Sequence, residues 1–245
     1  MKLEKSKPCW QIPQSERFSK VKKVLLKVSG EAFANESGIG VCRESLERFA
    51  KQIAAARKIV THLALVVGGG NFWRARDFQD LGIDRVGRDE IGMLATGLNG
   101  AILREFLQCS GIEAATFPAK DFSMARAKQD FANGKVVIFT GGTGNPFFTT
   151  DSAAVLRALQ LDCDAILKGT KVDGVFDSDP ARNPGAKKFA KLTLENALAK
   201  DLKVLDRTAF ALLLEKRIPL HVFNILENGS LQKVLQGQGV GTMVV

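Results

Sequence analysis

The residues with the clearest capacity for chemistry lie in the segment 140–154, which contains Gly141, Gly142 and Gly144. The apolar run 136–139 before them predicts a buried strand, and a helical pattern resumes at Ala153. Side chains able to cap that helix stand at Thr150, Asp151 and Ser152. A glycine loop between strand and helix lets backbone N–H groups approach an anion, and the helix N-terminus adds a favourable partial charge. The segment therefore favours a phosphate site.

Two further glycine turns carry cations. Residues 27–31 (K-V-S-G-E) follow the apolar run 24–26, and residues 68–71 (G-G-G-N), with Arg74 close behind, follow the run 63–67. All three turns stand at the C-terminal ends of predicted strands, where open α/β sheets bind their ligands. Together they favour a site for a polyphosphate.

A lysine ends a fourth apolar run. Lys168 follows residues 165–167, and a lysine that terminates a buried strand among glycine turns is expected to face the same cleft. Two common nucleotide sites are excluded by pattern. The chain has no G-x-x-x-x-G-K-[ST] loop, and Phe147 stands where the dinucleotide fingerprint requires its third glycine.

Strands and helices alternate from Val21 onward. The predicted strands are 22–28, 63–67, 113–117, 135–139, 164–168, 219–223 and 241–245. Their β-branched content and short loops predict an α/β fold, a three-layer αβα sandwich with a largely parallel central sheet. Residues 173–191 form the longest helix-poor stretch and predict an irregular or hairpin segment. We expect residues 21–245 to form a single catalytic domain.

Charge is concentrated at the N-terminus. The chain of 245 residues has a net charge of +9, and residues 1–23 hold seven basic side chains against two acidic ones. Residues 1–20 are therefore expected to be a basic, flexible extension. No zinc-finger or RNA-recognition signature accompanies the charge, so we do not expect nucleic acid to be a partner.

Bulk features point to a cytoplasmic protein that does not enter a membrane. No apolar run approaches the ~20 residues that span a bilayer, and the N-terminus lacks the apolar segment of a signal peptide. The four cysteines are scattered without a C-x-x-C pair, and only two histidines accompany them. Reduced thiols are expected, and a zinc site is not.

Several motifs resemble a known family. The lysine and glycine turns at 27–32 and 68–71, with Arg74, resemble the amino-acid kinase superfamily. The block 144–151 (G-N-P-F-F-T-T-D) is similar to that of the bacterial uridylate (UMP) kinases. Further agreements in order and spacing are Asp89, 92–96, Asn99, 171–176, 179–180 and 202–206. The resemblance covers about residues 21–245.

This resemblance implies a phosphoryl transfer from ATP, bound with Mg²⁺, to UMP, giving UDP and ADP in pyrimidine nucleotide biosynthesis. Lys27 and Lys168 would neutralise charge on the transferring group and on the ADP side. Asp151 and Asp206 would orient those lysines and nearby groups. The chain shows no carboxylate cluster resembling a dedicated metal cage, so Mg²⁺ is expected to arrive with the phosphates.

The resemblance also implies two sets of binding residues. The ATP set is Lys27, Val28, Ser29, Gly30, Gly70, Arg74, Thr170, Phe176 and Asp179. The UMP set is Gly69, Arg74, Asp89, Thr143, Gly144, Asn145, Pro146, Phe147, Phe148, Thr149 and Thr150. Asp89 would accept the ribose hydroxyls, and Arg74 would grip the UMP phosphate. Members of the family are expected to form homohexamers, with UTP as an inhibitor and GTP as an activator.

Two other functions remain open on sequence alone. One is a kinase of the same fold that acts on a small acid, although Asp89 would then have no ribose to hold. The other is a nucleotide-sensing regulatory protein. Such a sensor would not need the charges specific to transfer at Lys27, Lys168, Asp151 and Asp206.

Overall fold

The structure is a computed structural model that describes residues 21–202 and 204–245, apart from the side chains of residues 75 and 76. The predicted basic extension, residues 1–20, lies outside the described residues. The described residues form eight strands: β1 (Lys23–Val28), β2 (His62–Val67), β3 (Ala114–Pro118), β4 (Val136–Thr140), β5 (Ala165–Thr170), β6 (Lys191–Leu192), β7 (Leu220–Asn224) and β8 (Thr242–Val244).

The described part of the chain contains seven α-helices. They are α1 (Arg43–Ala56), α2 (Arg85–Cys109), α3 (Met124–Ala132), α4 (Thr150–Gln160), α5 (Leu194–Ala199), α6 (Arg207–Lys216) and α7 (Ser230–Leu235). Short 3₁₀ helices follow two of the strands, at Gly30–Phe33 and Ala75–Leu81. None of the helices in the described ranges is long and apolar enough to cross a bilayer.

The strands form one sheet in the order β3-β4-β2-β1-β5-β7-β8-β6. Every neighbouring pair is parallel except β7 with β8. The seven predicted strands are all present, with ends displaced by one or two residues. Only β6 escaped prediction, because two residues are too short to show an alternating pattern.

Helices cover both faces of the sheet, so the predicted αβα sandwich is confirmed. On one face, α1, α2 and α7 pack against alternate strand residues such as Leu26 and Leu65. On the other, α3, α4, α5 and α6 pack against the residues between them, such as Leu25 and Val66. The near-continuous apolar strands of the sequence reflect this burial on both faces.

Residues 173–190 form no α-helix or extended strand, as predicted. A single antiparallel bridge joins Phe176 to Lys188 and gives the segment a hairpin-like path. The Phe189 N–H donates to the Val175 carbonyl, which holds the base of that hairpin. The segment leaves β5 directly after Thr170, so it extends from the edge of the sheet at which Lys168 lies.

Candidate active site

Two lysines lie side by side at the centre of the sheet. β1 and β5 are parallel neighbours, and Lys27 is in register with Lys168. Flanking residues of both strands pack into the α1 and α2 face, so the pleat directs both lysines to the face covered by α4. Each lysine side chain is 13% exposed. Strand pairing thus brings two buried cations together.

One carboxylate binds both cations. The Lys27 Nζ lies 2.9 Å from Oδ1 of Asp151, and the Lys168 Nζ donates to Oδ2 at 2.7 Å. Asp151 stands in the first turn of α4, where a helix N-terminus favours a negative charge. Burial opposes its ionisation, but the two lysines outweigh burial and lower the pKa of the Asp151 carboxyl to about 2. Asp151 is therefore a carboxylate at physiological pH.

Burial also acts on Lys168. It lowers the pKa of the Lys168 ammonium, with Lys27 as a second cause, while Asp151 acts in the opposite direction. The ammonium also donates to the carbonyl of Val204 in the loop before α6. Asp206 acts on Lys168 in the same direction as Asp151 but more weakly. A phosphate would be attracted to the two neighbouring ammonium groups.

Asp206 supports this arrangement from the start of α6. It caps that helix by accepting from the Ala209 N–H at 2.8 Å. Its carboxylate also accepts from the Ser152 hydroxyl at 2.8 Å and from the Thr149 hydroxyl. Thr149 and Ser152 stand on either side of Asp151 in the chain, so Asp206 fixes the first turn of α4 to the start of α6.

The cap of α4 differs from the sequence prediction. Thr149 is the N-cap, and its hydroxyl accepts from the Asp151 N–H at 3.0 Å. The expectation that Thr150, Asp151 or Ser152 would cap the helix was wrong, because α4 begins at Thr150 rather than at Ala153. The earlier start places Asp151 inside the first turn, and this position suits an anionic side chain.

Two buried asparagines join the glycine turns. The Asn71 and Asn99 amides exchange hydrogen bonds at 3.0 and 2.7 Å, and they also donate to the carbonyls of Gly40 and Gly68. A Cβ at Gly30 would lie 2.3 Å from Asn71 Oδ1, so only glycine fits there. Both asparagines belong to the sequence motifs, but the sequence gives them no role. Their role is to fix the turns after β1 and β2 against α2.

Arg74 is held by two contacts after the turn of β2. Its Nε donates to the Gly70 carbonyl at 2.9 Å, and its Nη2 lies 2.7 Å from Oε1 of Glu31. Glu31 also pairs with Lys171. Sequence reasoning assigned neither Glu31 nor Lys171 to the site.

A cavity of about 290 Å³ opens beside the turn of β2. Its walls are Gly69, Trp73, Arg88, Asp89, Gly92, Met93, Thr96, Gly142, Asn145, Phe148, Thr149 and Thr150. Six of these residues belong to the predicted UMP set. Trp73 was not predicted. Of the wall residues on α2 only Asp89 was assigned to UMP, because a helix pattern does not reveal which of its faces meets a cavity.

A second, larger cavity of about 570 Å³ lies over the hairpin segment. It is lined by Lys168 and by three residues of the predicted ATP set, Thr170, Phe176 and Asp179, among others. Lys168 therefore faces the larger cavity, while Thr149 and Thr150, the neighbours of Asp151, face the smaller one. The lysine–aspartate cluster thus meets the larger cavity through Lys168 and adjoins, in sequence, the wall of the smaller one.

Some predicted residues contribute differently. Val28, of the predicted ATP set, is fully buried in the core. Phe147 is exposed and has a positive φ of 73°, which side chains rarely adopt. Its N–H donates to Asp89 Oδ2 at 2.8 Å, and Arg85 stacks on its ring at 4.8 Å. Asp89 therefore already accepts one N–H donor from the glycine-rich loop.

Comparison with known proteins agrees with this geometry. The profile of the amino acid kinase family matches residues 22–224. The chain belongs to the amino acid kinase family. The resemblance of the lysine and glycine turns to this family is therefore confirmed.

Within the amino acid kinase family, similar curated proteins are named uridylate kinase. The chain is 43% identical to that of Psychromonas ingrahamii, covering 92% of this chain and 94% of the relative, and 45% identical to that of Magnetococcus marinus, covering 92% and 97%. The crystal structure of UMP kinase from Bacillus anthracis superimposes with a TM-score of 0.88 at 36% identity, covering 91% of this chain and 96% of that one. The structure of UMP kinase from Ureaplasma parvum gives a TM-score of 0.86 at 34% identity, with 92% and 99% covered.

Proposed function

We propose that this protein is a UMP kinase that transfers the γ-phosphoryl group of ATP to UMP, giving UDP and ADP. The observation that carries the proposal is the buried cluster of Lys27, Asp151 and Lys168. Lys168 lines the larger cavity, and Asp151 directly follows Thr150, which lines the smaller one. Phosphoryl transfer asks a protein mainly for alignment and for stabilisation of charge. Two ammonium groups fixed by one carboxylate meet that demand without a proton-transferring side chain.

ATP is proposed to bind in the larger cavity and UMP in the smaller one. The larger cavity has room for a base and ribose beside Thr170, Phe176 and Asp179, and Lys168 is also in its wall. Backbone N–H groups of Ser29, Gly30 and Gly70 would receive phosphate oxygens. In the smaller cavity, Asp89 would accept the ribose hydroxyls, and the loop of residues 143–150 would enclose uracil and phosphate.

The family implies Mg²⁺, and the chain fits a metal that is carried by the nucleotide. Within residues 21–202 and 204–245, no three carboxylate, histidine or cysteine side chains come together as a metal site. Asp151, the buried carboxylate nearest the proposed transfer point, is already engaged by two lysines. Mg²⁺ would therefore be held chiefly by the phosphates, where it lowers their charge.

The first test is substrate choice. ADP release is expected to require ATP, Mg²⁺ and UMP, with CMP and AMP far poorer, because the loop 143–150 fits the block of the uridylate kinases. A coupled assay with UMP, CMP, AMP and aspartate measures this directly. Comparable rates with CMP would refute the uridylate assignment, and turnover of aspartate would indicate a kinase for small acids.

Asp89→Asn is expected to raise the KM for UMP with little change in kcat. The ribose contact is the same in the ground state and the transition state, so its loss removes uniform binding. Losing a hydrogen bond to a charged group costs about 1.5–3 kcal/mol, or roughly a tenfold to hundredfold rise in KM. Steady-state kinetics with varied UMP measure the effect. A severe fall in kcat with an unchanged KM would contradict the ribose role.

We further propose that the enzyme acts as a homohexamer in the cytoplasm, in pyrimidine nucleotide biosynthesis, with residues 21–245 as one catalytic domain. Exposed leucines on α2 support assembly, since Leu94 is 75% and Leu98 48% exposed. UTP is proposed to inhibit by competing with UMP, and GTP to activate. Light scattering is expected to report six chains; a monomer would contradict the assembly.

A further inference from the structure

Glu31 is a carboxylate that the proposed chemistry leaves unexplained. It lies in the 3₁₀ helix that follows β1, and its side chain is 19% exposed. One oxygen lies 2.7 Å from Arg74 Nη2, and the other contacts Lys171 Nζ. The arrangement repeats that of Asp151, because each carboxylate engages two cations from different segments. An anion beside a phosphate site repels the ligand, so its presence calls for a compensating role.

The contacts of Arg74 indicate that role. A guanidinium has five N–H donors in a rigid fork. Among the described residues, Gly70 accepts from Nε and Glu31 pairs with Nη2, which leaves three donors for a ligand. The contacts with Gly70 and Glu31 fix the Arg74 guanidinium beside the turn after β2. Without Glu31, only the bond to Gly70 would fix a long side chain that has several rotatable bonds.

Lys171 extends the contacts of Glu31 toward the larger cavity. It follows β5, the strand that carries Lys168, and Thr170 and Val172 on either side of it line the larger cavity. One carboxylate thus joins the segments after β1, β2 and β5. The proposed function assigns phosphate oxygens to the turns after β1 and β2, and the sequence resemblance assigns Arg74 to the UMP phosphate.

We propose that Glu31 is a positioning residue that holds Arg74 for the acceptor phosphate and Lys171 for the donor phosphates. This inference rests on the proposed function. The orientation that Glu31 provides outweighs its repulsion of the incoming phosphate. Affinity for both nucleotides depends on it, although Glu31 itself touches neither.

The test is Glu31→Gln, because orientation and repulsion predict opposite signs. Loss of orientation is expected to weaken UMP binding about tenfold, which is within the range of interaction energies between residues in contact. Calorimetry measures UMP binding without ATP, and kinetics give KM and kcat separately. Glu47→Gln is the matched control, since Glu47 pairs with Arg43 at 2.8 Å on the exposed face of α1. Tighter or unchanged UMP binding by Glu31→Gln would overturn the proposal.

Two further variants separate positioning from a general structural effect. In an Arg74→Met background, Glu31→Gln is expected to change UMP affinity less than about twofold, because its partner is gone. A full effect in that background would overturn the role. Glu31→Asp keeps the charge but loses one methylene, so it is also expected to weaken UMP binding. A UMP affinity equal to that of the unaltered protein would mean that the charge alone matters.

The outcomes for Glu31 and for the proposed function are distinguishable. Absence of UMP phosphorylation by the unaltered protein would refute the proposed function whatever the variants do. The Glu31 role is decided instead by the ratio of variant to unaltered protein in direct UMP and ATP binding. Thermal unfolding of each variant is expected to stay close to that of Glu47→Gln, and binding is compared at a temperature at which all are folded.

Discussion

Replacing Lys27 or Lys168 by alanine is expected to lower kcat by about 10²–10³, since removal of one preorganised donor to developing charge typically costs that much. Both ammonium groups are fixed by Asp151 before the nucleotides arrive, so they do not have to reorganise as the phosphoryl group moves. Their interactions strengthen as charge shifts, and the loss should therefore appear in kcat more than in KM. Single-turnover measurements with saturating ATP and UMP isolate this step.

Lys23→Ala is the matched control for these variants. Lys23 begins the same strand as Lys27, but it pairs with Asp162 at the opposite end of β1, with 40% of its side chain exposed. Its removal is expected to leave kcat unchanged. If both active-site variants kept a near-normal kcat, the transfer site would have to lie elsewhere in the molecule.

Sequence reasoning identified the features that depend on one segment at a time. Short apolar runs marked seven strands, because strands that are buried on both faces are apolar over most of their length. Lys27 and Lys168 stood out since a lysine at the end of such a run must face a ligand or a counter-charge. Their side-by-side register required only that β1 and β5 be neighbours.

The features that escaped sequence reasoning depend on contacts between distant segments. Glu31 reads as an ordinary solvated acid until the fold places Arg74 and Lys171 on its two oxygens. The reciprocal bonds of Asn71 and Asn99 likewise require α2 to lie against the turn after β2. The cap at Thr149 was missed for a local reason, since adjacent residues can all cap a helix and only its true start decides among them.

Asp151→Asn is expected to destabilise the folded protein by about 3–5 kcal/mol at neutral pH, because removing one member of a buried ion cluster leaves its partners uncompensated. The Lys27 and Lys168 side chains, each 13% exposed, would then repel each other. They would also lose their common anchor, so kcat is expected to fall together with stability. Denaturant unfolding monitored by circular dichroism measures the loss of stability. The control is Asp162→Asn, since Asp162 is exposed and pairs with Lys23 at the start of β1.

The pH dependence of the stability difference between the unaltered protein and Asp151→Asn tests whether the charge of Asp151 causes it. The pKa of Asp151 is lowered from 3.8 to about 2 in the folded protein, so its contribution is fully present above pH 3.8 and is lost as the pH falls through 2. A shift of this size corresponds to about 2 kcal/mol. The gap between the unaltered protein and Asp151→Asn is therefore expected to be constant from pH 8 to about pH 5, in the range where the carboxyl is ionised in both states. It should narrow by about 2 kcal/mol as the pH approaches 2. A gap that stayed constant over the whole range would mean that Asp151 stabilises the fold through its shape and hydrogen bonds rather than through its charge.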